Sequence, residues 1–449
     1  MAKRARMQEA EPIEEHDSGF VGPMTLFDNF PHNDTFVEQR TLELLPNPPT
    51  ENAEIYTFMH NRQDYGVIDM TDAKLSAKLR ITNVAAPHAA PAADRNIAVN
   101  QAPLRYGWKT KAVYLNNQLI TPQSSKENEL EFTHDFLTIV PSEYIDDKSI
   151  TLMIRDTASH ADVITNLHHD TDATGNTNLG ARERYLLINE AVVHNCIDKI
   201  DVLGRVRRYV PTSFDFKVVL TRLEKSKVLY GTAAQCALVE LRMGSLKLTI
   251  PILKPNAQLS SAINQLMIQK GEECRYYKTT HRYIAIPVPI GSRHIQHKDL
   301  FNGARPTRLI TKIISQTRYN GSYILAPYKA QFPNITRFSV SINEAEIPPI
   351  ITNSAEAYIS LRQSLDRRFS EMPCTYEEYV SDYGMIVTDL SANRDGYSQV
   401  LPNSTSGNVS IKIDFAQDTT AAQQLICIGE FRNQMSVGFG TQARMKYEV

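Results

Sequence analysis

Between residues 407 and 437 the chain carries two contrasting hydrophobic patterns side by side. Val409, Ile411, Ile413 and Phe415 alternate with Ser410, Lys412 and Asp414. That period of two puts four apolar side chains on one face of a strand and leaves the other face polar. After the polar stretch 417–424 comes Leu425-Ile426-Cys427-Ile428-Gly429-Glu430-Phe431, apolar on nearly both faces. Such a strand predicts that its outer face meets another chain segment or another subunit. The pair reads as a C-terminal antiparallel unit that closes a β-sandwich.

Earlier in the chain the same alternation recurs. Leu75, Ala77, Leu79 and Ile81 predict a strand, and the Ala/Pro-rich stretch 85–103 that follows predicts a surface excursion. Further strands are expected at 112–115, 119–121 and 149–155, and the Asp/Asn/Thr/Gly-dominated stretch 158–182 predicts a long exposed loop. Phe214, Phe216, Val218 and Leu220 alternate strictly and predict the strand closing a first unit, 36–225. A second unit, 226–449, then opens with strands at 237–242 and 246–250. Residues 283–290 are β-like, but Pro287 and Pro289 donate no ladder hydrogen bond, which predicts an edge strand. Strands are expected at 309–315 and 338–342, with a turn at 343–346. The helix predicted after them spans 354–369: Asn353 or Ser354 caps it, Glu356 suits its first turn, and Tyr358, Leu361, Leu365 and Phe369 form one stripe. The two halves share no sequence repeat, so any duplication between them is structural only.

Length and composition narrow the class. The 449 residues have room for about three ordinary domains or for two large β-sandwiches of roughly 200 residues each. With 23 Pro, 19 Gly and few long runs of helical period, the chain reads as all-β. Its 48 basic and 50 acidic residues nearly cancel, which argues against a surface built throughout for nucleic acid. Cys196, Cys236, Cys274, Cys374 and Cys427 are odd in number and lie far apart without a CxxC pair, so a reducing compartment is expected rather than a disulfide framework. The start of the chain lacks the apolar core of a signal peptide, and no apolar run approaches the ~18 residues that cross a bilayer. The expectation is a protein folded inside a cell with no membrane span, in which the sequons at Asn33, Asn320, Asn334, Asn403 and Asn408 are chance matches. Residues 1–35 have few apolar side chains and carry Lys3, Arg4 and Arg6 ahead of Glu9, Glu11, Glu14, Glu15 and Asp17. They predict an N-terminal arm that a neighbouring molecule orders. Its basic triplet suits a nuclear-import signal or a contact to nucleic acid, with a solvated terminus as the plainer alternative.

Candidate chemistry is sparse. His160, His168, His169 and Asp170, with His194 downstream, have the residue types of a cupin-like metal site. They sit in a polar loop that offers neither fixed geometry nor a dry surround, so an exposed loop is the reading adopted and no metal is assigned. No phosphate-cradling glycine loop, GxSxG elbow or HExxH motif occurs, so no catalytic residue and no cofactor is assigned. Asp146-Asp147 and Glu377-Glu378 are adjacent acids expected in water. Arg205, Arg207, Arg208, Arg367 and Arg368 suit either nucleic-acid contact or subunit and surface charge.

One resemblance adds to this picture. The succession 300–303, Phe338 to Asn343 with its turn and Ile347-Pro348, the helix bearing Tyr358 and Leu361, then 383–390, 407–415 and 425–431 resembles the C-terminal half of hexon-type major capsid proteins of the Maverick/Polinton, adintovirus and adenovirus-like group. It covers roughly 295–440. The resemblance implies two tandem eight-stranded jelly rolls with short helices in the loops, a non-enzymatic capsid subunit, and a homotrimer forming a pseudo-hexagonal capsomer that tiles an icosahedral shell. It implies as partners further copies of the chain, neighbouring capsomers, penton and minor or cement proteins, and packaged DNA met by the N-terminal arm. Location in the virion capsid, with assembly in the host nucleus, goes with it. The alternatives are a minor or penton-type capsid protein with one jelly roll, a cupin-like metalloenzyme using His160, His168 or His169, and a glycan-binding sandwich whose loop near Asn176 meets the sugar.

Overall fold

The computed structural model describes residues 35–446 apart from 62–65, 86–95, 122–123, 146, 166, 168–176, 190–191, 201–208, 267–273, 367–370, 393, 397–405 and 438–443. The short strands Val67–Ile68, Ile97–Val99, Val210–Pro211, Leu229–Gly231 and Arg444–Lys446 stand outside its framework, which the other sixteen of its twenty-one described strands form. In the first half these are β1 (Phe36–Leu44), β2 (Ile55–His60), β3 (Lys74–Asn83), β4 (Trp108–Leu115), β5 (Gln118–Leu119), β6 (His194–Lys199), β7 (Phe216–Arg222) and β8 (Val239–Pro255). In the second they are β9 (Cys274–Val288), β10 (His294–His297), β11 (Arg308–Ser315), β12 (Ile335–Ile342), β13 (Ala345–Ile351), β14 (Met385–Asp389), β15 (Val409–Phe415) and β16 (Gln423–Val437). The first half pairs them as β1-β8-β3-β6 and β2-β7-β4-β5, the second as β9-β16-β11-β14 and β10-β15-β12-β13, all antiparallel. Adding eight to each label of the first half reproduces the second. The halves are therefore the same connectivity used twice, with no repeat in their sequences.

Local chemistry accounts for the strands. Along β15 the four apolar residues are buried and the polar ones between them are partly exposed, the expected half-buried pattern. Residues 425–431 of β16 are buried on both faces, because β16 is an inner strand flanked by β9 and β11 and its outer face is covered by other segments of the same chain. β9 is an edge strand, as its prolines require. Asn343 and Glu344 turn β12 into β13 with φ of 50° and 70°, a two-residue hairpin with both central residues left-handed. The helix Ser354–Ser364 is capped by the Asn353 side chain, which accepts from the Glu356 N–H, and it buries Ala357, Ser360 and Leu361. It stops short of the predicted 369; 367–369 lie outside the described residues.

Four expectations are corrected. β8, assigned from sequence to a unit starting at 226, pairs with β1 and β3 and so belongs to the first sandwich. β7 therefore does not close that unit. Residues 149–155 form no strand: the helix Lys148–Thr151 runs into a segment whose Leu152 enters the first core while Met153 enters the second. Their alternation records two cores, not two faces of a sheet. The stretch 85–103 is not wholly a surface excursion, since Ile97–Val99 is a buried strand paired with Leu229–Gly231 and Ala102 and Pro103 are buried, while 86–95 lie outside the described residues. The stretch 158–182 is not wholly exposed either, because Leu167 and Ala181 pack with Ala98 and Tyr230, the buried Ala161 carbonyl accepts from the Tyr230 hydroxyl, and the helix Leu179–Leu187 begins inside it. Lys3, Arg4 and Arg6 lie outside the described residues.

Candidate functional site

Between the two sandwiches lies the helix Glu127–Thr138, which the sequence patterns did not reveal. Nine of its residues are buried: Asn128, Glu129, Leu130, Glu131, Phe132, Thr133, Asp135, Phe136 and Leu137. A helix buried nearly all round has no single apolar stripe to read, and here three of its four acids go inward because each of the three meets a cation. Glu129 takes Lys312 Nζ of β11 at 2.6 Å, with both side chains buried. Glu131 takes Lys111 of β4, whose ammonium also donates to the Arg105 carbonyl. Asp135 accepts from Arg105 at 3.1 Å and from the Tyr106 hydroxyl at 2.9 Å, and Arg105 also grips Asp198 of β6. One helix thus ties β4 and β6 of the first half to β11 of the second.

Its apolar residues bridge the same gap. Phe132 stacks on Tyr328 with centroids 4.4 Å apart, Tyr106 meets both edge-on, and Phe136 lies 4.7 Å from Tyr383. Leu130, Phe132, Phe136 and Leu137 therefore count in the core of the second sandwich, although they precede it by more than a hundred residues. A second tie runs beside the first. Asp162 accepts both guanidinium nitrogens of Arg318 at 3.0 and 3.1 Å and the Ala326 N–H at 2.9 Å. Lys329 joins Asp162 to Asp382, which also accepts the Ser159 N–H at 2.7 Å. Arg155 donates to the Pro373 carbonyl and lies over the rings of Phe136 and Tyr383.

The electrostatics suit a permanent joint. Burial pushes the Glu131 carboxyl up to about 7 even with Lys111 beside it. For Glu430 of β16 burial acts in the same direction, but Arg308 and Arg432 outweigh it and hold the carboxyl down at about 2. Asp162 is likewise held below the usual range, its burial outweighed by Arg318, the Ala326 N–H and Lys329. Buried pairs of this kind fix one arrangement of the elements they join, because separating either partner strands a charge away from water.

The sequence-derived candidates do not converge. His160 sits in a turn with Nδ1 3.1 Å from the Ala158 carbonyl, while His194 begins β6 opposite Leu79. His168, His169 and Asp170 lie outside the described residues, as do Asn176, Asp146, Arg205, Arg207, Arg208, Arg367 and Arg368. Among the described residues no group of three His, Cys, Asp or Glu side chains is placed to hold a metal ion. Glu378 is structural: it completes a capping box with Thr375 on the helix Tyr376–Ser381. Cys196, Cys236, Cys374 and Cys427 are buried free thiols. No described helix is long and apolar enough to cross a membrane.

No protein-family model matches the sequence, and no curated protein matches it. Solved structures do resemble it. A chain of the Sputnik virophage structure superposes with a TM-score of 0.61 at 9% identity, covering 100% of this chain and 96% of that one. The mavirus major capsid protein gives 0.56 at 9% identity, over 99% and 96%. PBCV-1 VP54, fitted into a reconstruction of Sputnik, gives 0.57 at 8% identity, over 94% and 100%. These chains are double jelly rolls. So is this one. The match spans both sandwiches and the seam together, and at such low identity it is a likeness of fold. The double jelly roll places each half's eight main strands in two sheets, the arrangement found independently in the pairing above, where short extra strands extend one sheet of each half.

Proposed function

We propose that this protein is a major capsid protein, a non-enzymatic tile whose trimers form pseudo-hexagonal capsomers of an icosahedral virion shell. The observation that carries this reading is the duplicated strand order locked by a buried seam. Two units of like connectivity held in one orientation give a trimer six similar walls, which lets a threefold body fill a hexagonal lattice position. Double jelly rolls of the same span in virophage and mavirus structures support it. In this reading the first jelly roll runs from 36 to about 264 and the second from about 274 onward, with residues 1–35 as an arm facing the shell interior, where Lys3, Arg4 and Arg6 meet packaged DNA or direct nuclear import. Its partners are further copies, neighbouring capsomers, and penton and minor proteins. A single-jelly-roll penton role does not suit a chain with two sandwiches. A cupin-like enzyme has no support from His160 and His194, which the fold sets in separate elements. Light scattering on purified protein tests the reading: a trimer near three times 50.7 kDa is expected, and a strictly monomeric species that never assembles overturns it.

A further inference from the structure

The outer face of the β1-β8-β3-β6 sheet carries an unusual arrangement of charge. Register places Lys74 directly opposite Lys199 and Arg80 directly opposite Arg242, with Ser76 opposite Lys247 between them. Like charges facing each other across strands destabilise a sheet, so their presence asks for a counter-charge. Part of it is local: Lys74 pairs with Asp72 at 3.1 Å, Arg80 with Glu51 at 2.5 Å, Arg242 with Glu240 at 2.6 Å and Lys247 with Glu43 at 2.6 Å. Lys78 and Lys199 are exposed and have no carboxylate partner among the described residues. Among the described residues the face therefore holds six cations against four carboxylates, and its surplus sits on two neighbouring strands.

The geometry points to this face as the docking surface for an acidic stretch of the same chain, residues 9–17. Five of those nine residues are acids, Glu9, Glu11, Glu14, Glu15 and Asp17, and none is Lys or Arg. The segment that carries them leads into β1, a strand of this very sheet. Asp17 precedes Phe36 by nineteen positions, a tether of up to about 60 Å when extended. A four-stranded sheet is only about 15–20 Å across, so the stretch reaches every cation on it. Tethering raises the local concentration to roughly millimolar, so a surplus of two charges is enough to favour contact. A free nucleic acid lacks that advantage and would also meet the four carboxylates. The inference concerns the single chain and refines the arm of the proposed function: residues 9–17 lie against this sheet, and Lys3, Arg4 and Arg6 ahead of them are the part left to meet DNA.

Zero-length carbodiimide coupling of the full-length protein at low salt, read by mass spectrometry of the linked peptides, tests it. Amide links from Lys78 or Lys199 to acids within 9–17 are expected, reduced at least about five-fold in 0.5 M NaCl. The K78E/K199E variant should lose them, and because both side chains are exposed it should fold normally. Neutralising the five acids (E9Q/E11Q/E14Q/E15Q/D17N) should abolish them without touching the sandwich. Lysines that couple only to carboxylates of the sheet, or to none, overturn the proposal. Links formed between chains in a mixture of ¹⁴N- and ¹⁵N-labelled protein overturn the same-chain assignment. Binding of duplex DNA that depends on Lys78 and Lys199, with no links to 9–17, assigns the face to nucleic acid and overturns it as well.

Discussion

Two buried glutamates respond to pH in opposite directions, and the reason lies in what surrounds each one. Glu430 is enclosed by Arg308 at 2.6 Å and Arg432 at 3.0 Å, which hold it ionised down to about 2. Its contribution to stability is complete above the unfolded carboxyl value of roughly 4.5 and is lost as pH falls through 2. Glu430→Gln should flatten the acid limb of the stability curve. It should also cost about 3–5 kcal/mol near neutrality in denaturant melts, because two buried guanidiniums lose their counter-charge. Glu131 behaves the other way. Burial raises it to about 7, so the folded state holds that proton more tightly than the unfolded chain does. Its stabilisation is present below about 4.5 and fades as pH rises through 7. Melts of wild type and Glu131→Gln at pH 5 and pH 8 should differ in pH sensitivity by an amount on the order of 1–3 kcal/mol, with the variant the flatter of the two. Neither role was legible from sequence, where Glu430 was one polar residue in an apolar run and Glu131 one acid among several.

Among the elements, the seam helix Glu127–Thr138 decides most and was hidden best. Helical amphipathicity is visible only when one side faces water, and this helix has cores or charge partners nearly all round. By contrast the helix Ser354–Ser364 was legible, because it lies on its own sandwich and keeps a polar outer side with an Asn cap. Lys312→Ala should cost about 3–5 kcal/mol by leaving Glu129 buried without its ammonium. Replacing both partners, Glu129→Leu with Lys312→Met, should recover much of that loss, since apolar residues of similar volume replace a buried ion pair at little cost. Chemical denaturation of the two variants separates the outcomes. β8 taught a related lesson. Strands expected at 237–242 and 246–250 are one strand, 239–255, in the structure, and which sandwich it completes depends on pairing with β1 and β3, far away in sequence.

At the scale of the whole molecule, the two sandwiches share a core rather than merely touching. Phe132 and Phe136 come from the first half yet pack among second-half residues such as Tyr328 and Tyr383, and the Asp162 tie lies alongside. Calorimetry of the wild type should therefore give one cooperative transition, while Phe132→Ala combined with Lys312→Ala should split it into two as each jelly roll melts alone. For a tile that must present fixed walls to its neighbours, that rigidity is the useful property. The sequence by itself determined the strands whose two faces see different media, such as 75–81 and 409–415, the edge status that prolines impose on 283–290, the Asn353-capped helix and the all-β class. Each of these is set by local spacing and covalent chemistry. Only the tertiary structure decided where the first sandwich ends, which acids are buried, and that both halves follow one strand order. Those features rest on contacts between residues from twenty to more than a hundred positions apart, and such contacts leave no periodic mark on the segments that make them.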